Sequence, residues 1–281
     1  MRVGAPREVK DNEFRVALTP AAVSELTQRG HAVAVERGAG AGAGLSDAAY
    51  EAAGASVAES AREIFEWADL IVKVKEPQPQ ERERLRPGQT LFTYLHLAAD
   101  REQTLDLARS GAICIAYEMV TSPFGGLPLL TPMSEIAGRL APQVGARCLE
   151  KPFGGRGVLL AGAPGVPAAE VVILGGGTVG AQAAMIALGM GAHVIVADRS
   201  AEALRRLTAR FGNSVRTIFS TPTAIAELVK RADLVIGAVL LPGAATPRLV
   251  TRAMLAGMKA GAVIVDVAID QGGCCETSRP T

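Results

Sequence analysis

One stretch, residues 169–198 (AEVVILGGGTVGAQAAMIALGMGAHVIVAD), constrains the fold of this chain more than any other. An apolar run over 171–174 stops at three glycines, and Gly175, Gly177 and Gly180 fit the spacing G-x-G-x-x-G. A helix-compatible stretch follows, then a second apolar run over 193–197 closed by Asp198. Strand, tight turn, helix, strand and an acid about 20 residues beyond the turn form the fingerprint of a dinucleotide-binding βαβ unit. Gly175 is expected to allow the tight turn, Gly177 the approach of a pyrophosphate to the backbone, and Gly180 close packing of helix on strand. A helix beginning near Thr178 directs its free N–H groups at phosphate. Asp198 can accept hydrogen bonds from both ribose hydroxyls and would repel a 2′-phosphate, so the residues predict NAD rather than NADP. Arg199, next to it, weakens that preference because it can turn toward a phosphate.

The rest of the composition bounds the answer. A chain of 281 residues is long enough for about two domains. With 29 basic against 28 acidic residues and a net charge of +1, no basic field for nucleic acid is implied. The opening MRVGAPREVKDNEFR is too charged for a signal peptide. The most apolar long run, 256–269, is interrupted by Lys259 and Asp266, so no membrane span is expected. Four cysteines without a C-x-x-C and only three histidines give no metal-binding pattern. Cys114 and Cys148 lie in apolar patterns and are expected to be buried. Cys274 and Cys275 follow Gly272-Gly273 and are expected to be partly exposed. Free thiols of this kind suit a reducing, cytoplasmic compartment.

Short apolar runs alternate with helical patterns through both halves, which predicts mainly parallel sheets. In the first half strands are expected at 2–3, 32–36, 70–74, 90–94 and 112–116, with helices near 20–29, 60–67 and 101–110. Thr19 before Pro20, and Asp100 before Arg101, are the expected helix caps. Residues 133–149 read as a long helix, because Ile136, Leu140, Val144 and Cys148 recur every four residues. In the second half strands are expected at 171–174, 193–197, 216–219, 234–238 and 263–267, with helices near 178–190, 200–211, 223–231 and 247–258. The expected architecture is α/β: two doubly wound, Rossmann-like domains with a cleft between them. Domain 1–128 would carry substrate and catalysis, and domain 129–281 would bind the dinucleotide, with the long helix connecting them. Nothing after Asp270 supplies a sixth strand, so closing elements at the C-terminal end are expected to be missing.

In open parallel sheets ligands bind beyond the carboxyl ends of the strands. Four polar residues follow expected strand ends: Arg15, Lys75 (with Lys73 two residues before it), His96 and Asp270. Collected on one rim, they make a coherent chemistry. Arg15 and Lys75 can hold a small carboxylate. A histidine at position 96 can exchange a proton with a substrate oxygen. Asp270 can serve a second proton transfer to water or amine. Each also has a plainer role: Arg15 as a partner of Glu13 or Glu8, Lys75 as the solvated end of a strand, His96 as a core histidine, Asp270 as a turn residue. His31 and His193 are expected to be structural. The reaction these groups suggest beside a dinucleotide is oxidation of a small amino or hydroxy acid.

The chain resembles the family of alanine dehydrogenase and the NAD-binding subunit of proton-translocating transhydrogenase. The resemblance is carried by MRVGAPREVKDNEFRVALTP, LIVKVKEP, LFTYLHLAAD, LLTPMSEIAGRLAPQVGA, GGRGVLLAGAPGV, VVILGGGTVG, ADLVIGAVLLPGA and VIVDVAIDQGGC. It implies NAD-dependent oxidative deamination of L-alanine to pyruvate and ammonium. Under it, Arg15 and Lys75 bind substrate and His96 and Asp270 are acid/base groups. It implies cofactor contacts at Ser134, Gly175, Gly177, Thr178, Val179, Gly180, Asp198, Ser220, Val239, Leu240, Val267, Ala268, Ile269 and Arg279. Ala203 stands where relatives often carry a lysine near the adenosine, which would weaken cofactor affinity slightly. The resemblance also implies a homo-oligomer, a hexamer, and relatives that continue past the end of this sequence with a last strand, a loop near the nicotinamide and returning helices. Lys75 and His96 favour the alanine dehydrogenase side of the family. The alternatives are a transhydrogenase-like NAD-binding subunit and a truncated, non-catalytic NAD(H)-binding or interaction protein.

Overall fold

The computed structural model describes residues 1–240, 244 and 246–279. Part of the ADLVIGAVLLPGA motif and the final Pro280-Thr281 lie outside the described residues. The chain divides into two compact units, Met1–Pro123 and Phe124–Thr281.

The first unit runs β1 (Arg2–Ala5), α1 (Pro20–Gln28), β2 (Ala32–Glu36), α2 (Asp47–Ala52), β3 (Ser56–Ala58), α3 (Ala61–Trp67), β4 (Leu70–Val72), α4 (Pro79–Arg82), β5 (Thr90–Thr93), α5 (Arg101–Ser110) and β6 (Ile113–Ala116). The helix starts follow local chemistry: Thr19 accepts the Ala22 N–H and Asp100 the Gln103 N–H, with Pro20 inside the first turn of α1. All pairings are parallel, in the order β3-β2-β1-β4-β5-β6. The strand order reverses between β1 and β4, which makes their carboxyl ends the switch point of this sheet. Successive strand residues feed opposite layers. Val33 and Val35 join Val3, Val23 and Tyr50 on one face, while Ala34 joins Ile64, Phe65 and Leu91 on the other. The short α2 and β3 were not expected from sequence, and β4 ends at Val72 rather than at residue 74.

The second unit runs α6 (Thr131–Cys148), β7 (Glu170–Leu174), α7 (Thr178–Gly189), β8 (His193–Asp198), α8 (Ala201–Phe211), β9 (Val215–Phe219), α9 (Pro222–Arg231), β10 (Leu234–Gly237), α10 (Arg252–Ala256) and β11 (Val263–Asp266). Its five parallel strands are ordered β11-β10-β7-β8-β9, with the switch point between β7 and β10. Val171 and Ile173 face the layer that holds α7, and Val172 and Leu174 face the layer that holds α9. Such continuous apolar strands are what a sheet covered on both faces requires. No helix among the described residues is long and apolar enough to cross a membrane.

Three local expectations are corrected. The helix expected over 247–258 shrinks to α10, because Val250 is held extended: it bridges Cys275, and its N–H donates to the Cys274 carbonyl. The cysteines exchange roles. Cys274 and Cys275 are buried at 1% exposure, since their loop folds under the Asp266 carboxylate, which accepts both backbone N–H groups at 2.8 and 3.2 Å. Cys114 and Cys148 are only half-buried. The α6 helix is present, but the residues it buries are Gly138, Ala141, Pro142 and Gly145, while Ile136, Leu140 and Val144 are exposed. A Cβ at Gly138 would stand 2.4 Å from the Val179 carbonyl oxygen, so α6 and α7 approach closer than larger side chains permit.

Candidate functional site

In the second unit the strand-turn-helix stretch builds a concave site at the β7/β10 switch point. Gly175, just past β7, has φ +106°, and a Cβ there would stand 2.6 Å from the Ala238 carbonyl oxygen. A Cβ at Gly180 would fall 1.9 Å from the Gly175 carbonyl oxygen, so only glycine lets α7 leave the sheet so closely. At Gly177 the same test meets nothing within 4 Å: that side of the backbone faces open space. Gly177 is also the N-cap of α7, and no side chain caps the first turn. The helix therefore presents backbone donors and the positive end of its dipole to whatever occupies that space.

A cavity of about 790 Å³ lies there. Gly175, Gly177, Thr178, Val179, Asp198, Ser220, Val239, Leu240 and Ser134 all line it, together with Arg199. The structure thus brings most of the expected cofactor residues to one wall. Gly180 supports that wall without lining it, and Val267, Ala268, Ile269 and Arg279 are not among the lining residues. Asp198 is held firmly: one carboxylate oxygen accepts the Gly176 N–H at 2.5 Å and the other the Ser200 N–H at 2.6 Å. Each oxygen keeps a further lone pair for an incoming hydroxyl. Open space at Gly177, an uncapped helix start and a fixed carboxylate fit a dinucleotide, with pyrophosphate at the glycines and ribose at Asp198.

Asp270 is exposed in the turn Val267–Gln271 that follows β11. Asp266 braces that turn. Its carboxylate accepts N–H groups from Ala268, Cys274 and Cys275 and the Ser278 hydroxyl at 2.5 Å.

In the first unit, Arg15, Lys75 and His96 stand on segments past strand ends. Arg15 grips Glu13 with two N–H groups of its guanidinium, at 2.7 and 2.5 Å. Burial pushes the Glu13 carboxyl up, but the Arg15 hydrogen bonds and charge, with the charge of Lys75, outweigh that and leave its pKa below the ordinary value. The same hydrogen bond and the Glu13 charge raise the Arg15 pKa against the effect of burial, helped by Tyr94 and Glu8. The Glu13 pairing named from sequence as the plainer role of Arg15 is therefore present.

Lys75 follows β4 on a backbone pinned from both sides. The Glu8 carboxylate, reaching across the β1/β4 switch point, accepts the Val74 N–H at 2.7 Å and the Lys75 N–H at 3.4 Å. The Thr93 hydroxyl donates to the Lys75 carbonyl at 3.0 Å. Lys73, expected to share a face with Lys75, is instead a buried cation between Glu8 (3.1 Å) and Glu81 (2.9 Å). Burial raises the Glu8 pKa more than Lys73 and the Val74 N–H lower it.

His96 has φ +49° and ψ +39°, a left-handed backbone shared, among the described non-glycine residues, only with Asn12 by its positive φ. That conformation costs an L-residue roughly 1–2 kcal/mol. The Glu118 carboxylate offsets the cost: it accepts the His96 N–H at 2.6 Å and the Leu95 N–H at 3.2 and 3.3 Å. The His96 ring stacks on Tyr94, with centroids 5.9 Å apart and planes 7° apart. Its Nδ1 is buried without a hydrogen-bond partner. Burial raises the Tyr94 pKa, Arg15 pulls it down and Glu118 adds to the rise, so Tyr94 senses both groups.

Tyr94 and Glu118, and the roles of Glu8 toward Lys75 and of Lys73, were not foreseen from the sequence. Glu118 follows β6 by two positions and so meets the strand-end rule that singled out the others. A lone acid there reads the same as a surface acid until the pairing register is known.

Residues 4–137 match the family model described as alanine dehydrogenase/PNT, N-terminal domain, and residues 141–281 match its C-terminal domain. A protein named alanine dehydrogenase from Halomonas elongata is 57% identical over 281 residues, covering all of this chain and 76% of that relative. One from Bacillus subtilis is 53% identical over 277 residues, covering 99% of this chain and 73% of that relative. Among solved structures, an L-alanine dehydrogenase superposes with TM-score 0.89 at 52% identity, over all of this chain and 78% of the other. A transhydrogenase from Sinorhizobium meliloti gives 0.81 at 32%, over 99% and 82%.

Proposed function

This chain belongs to the alanine dehydrogenase/PNT family, and we propose that it is an NAD-dependent alanine dehydrogenase. The reaction is L-alanine, NAD and water giving pyruvate, ammonium, NADH and a proton, in either direction. The observation that carries this reading is 57% identity to a named alanine dehydrogenase across the whole chain, against 32% to a transhydrogenase. The cavity at Gly175, Gly177 and Asp198 supports NAD. When bound, NAD accepts the hydride from the substrate α-carbon.

The chain's own residues do the rest. Arg15 and Lys75 hold the substrate carboxylate, Lys75 on a backbone fixed by Glu8 and Thr93. His96 exchanges a proton with the substrate through Nε2, since Nδ1 is buried. Asp270, on its braced turn, serves the second proton transfer, to water or departing amine. Ser134, Thr178, Val179, Ser220, Val239 and Leu240 contact the dinucleotide from the cavity wall, while Val267, Ala268, Ile269 and Arg279 belong to the same cofactor set by family resemblance.

We place the protein in the cytoplasm as a homo-oligomer, a hexamer by resemblance. Four free thiols suit the compartment, and the exposed apolar side of α6 suits association. Light scattering of the purified chain tests the assembly.

The decisive assay is initial NADH formation from L-alanine and NAD, with glycine and L-serine for comparison. Alanine-selective turnover is expected, and its absence refutes the reading. His96→Ala should lower turnover about 10²–10⁴-fold with NADH binding intact. Unchanged turnover would remove His96 from the chemistry.

A further inference from the structure

We infer that Glu118 is a positioning residue for His96: its buried carboxylate holds the left-handed turn that aims the imidazole. The inference rests on the proposed reaction for its catalytic consequence, though not for its geometry.

The topology puts the two residues together. In the parallel β5/β6 pair, Thr93 is registered with Ala116. Two residues beyond each strand end stand Leu95 and Glu118. The chain then turns at His96, where an L-residue resists φ +49°. Two consecutive N–H groups, of Leu95 and His96, converge on one carboxylate. Convergent backbone donors of this kind are an anion cradle, here filled by the protein's own acid. Glu118 is buried, so the hydrogen bonds act with little competition from water.

One face of the His96 ring rests on Tyr94 and Nδ1 has no partner. Its direction is therefore set mainly by the backbone at residue 96, and that backbone is set by Glu118. The carbonyl on the other side is fixed too, since the Gln103 side-chain amide donates to the Leu95 carbonyl at 2.6 Å. An ionised carboxylate suits the cradle because it only accepts; a glutamine amide would turn a donor toward one of two donors.

The test uses the full chain with Glu118→Gln and Glu118→Asp. Glu118→Gln should lower kcat about 10²-fold, the order expected for slight misplacement of a reacting group, with KM for L-alanine and NADH affinity unchanged. Glu118→Asp, which keeps the charge with a shorter reach, should recover part of kcat. In a His96→Ala background Glu118→Gln should have no further effect, because the two act as one unit. A wild-type kcat in Glu118→Gln, or a loss that multiplies fully with that of His96→Ala, overturns the inference.

A second readout is independent of turnover and of the Gln variant's folding. The chain has three histidines, so 15N-histidine labelling gives three backbone amide signals. Glu118→Asp should move that of His96 and leave those of His31 and His193 in place. No selective movement refutes the positioning role. If the wild-type chain makes no NADH from L-alanine, the parent reading falls, and the spectrum still decides whether Glu118 sets the backbone of His96.

Discussion

Replacing Lys73 with methionine tests a deeply buried charge cluster. The Lys73 side chain is 1% exposed, and those of Glu8 and Glu81 are 2% exposed. Methionine matches lysine in length, so little cavity is made and the effect is electrostatic. Two carboxylates then remain buried without their cation. Breaking such a pair costs about 3–5 kcal/mol. At roughly 3 °C per kcal/mol, melting should fall by about 9–15 °C. The pH dependence has a definite sign. The Glu8 pKa is already raised above 4.5 in the folded protein. Its contribution to stability is thus full below the unfolded value and lost as pH rises through the folded one. Removing Lys73 takes away the charge that lowers that pKa and pushes it higher. The Lys73→Met deficit should therefore be small in acid and grow as pH rises past the raised value. Denaturant unfolding near pH 5 and near pH 8 measures it. Adding Glu8→Gln and Glu81→Gln should restore much of the loss at the higher pH. An equal deficit at both pH values, or one under about 1 kcal/mol at the higher pH, would refute the reasoning.

Two further predictions concern the nucleotide cavity. Asp198→Ala should cost about 1.5–3 kcal/mol of NAD binding and narrow the NAD-over-NADP ratio of kcat/KM; an unaltered ratio would mean another residue reads the ribose. Gly180→Ala places a Cβ 1.9 Å from a backbone oxygen, and should destabilise the protein by about 1–3 kcal/mol or more and weaken NADH binding. Gly189→Ala in the same helix meets nothing within 4 Å and should keep wild-type NADH affinity in a fluorescence titration.

The glycine turn, its flanking strands and Asp198 were legible in sequence because each step there is local: steric permission at glycines, one helix start, one acid at a strand end. What escaped depends on pairing across the sheet. Glu8 finds Val74 and Lys75 only because β1 and β4 are neighbours, and Glu118 finds His96 only through the β5/β6 register. Periodicity announced α6 but not its contact face. The close approach to α7 is made at Gly138, whose smallness permits it and leaves no hydrophobic signal. The cysteines were misjudged for a related reason. Neighbouring glycines suggested exposure at Cys274 and Cys275, while a carboxylate eight residues earlier in the chain, Asp266, folds their loop inward.

Both sheets reverse their strand order at one place, yet the two places have opposite contents. Between β7 and β10 there is a space bordered by glycine and by helix donors. Between β1 and β4 the same location is stoppered from within by Glu8, Lys73 and Glu81, two acids to one base. A diphosphate at the second location would meet buried carboxylates rather than free backbone donors. The two halves share a topology, yet one switch point is left open beside backbone donors, while at the other a buried ion cluster ties the strand ends together.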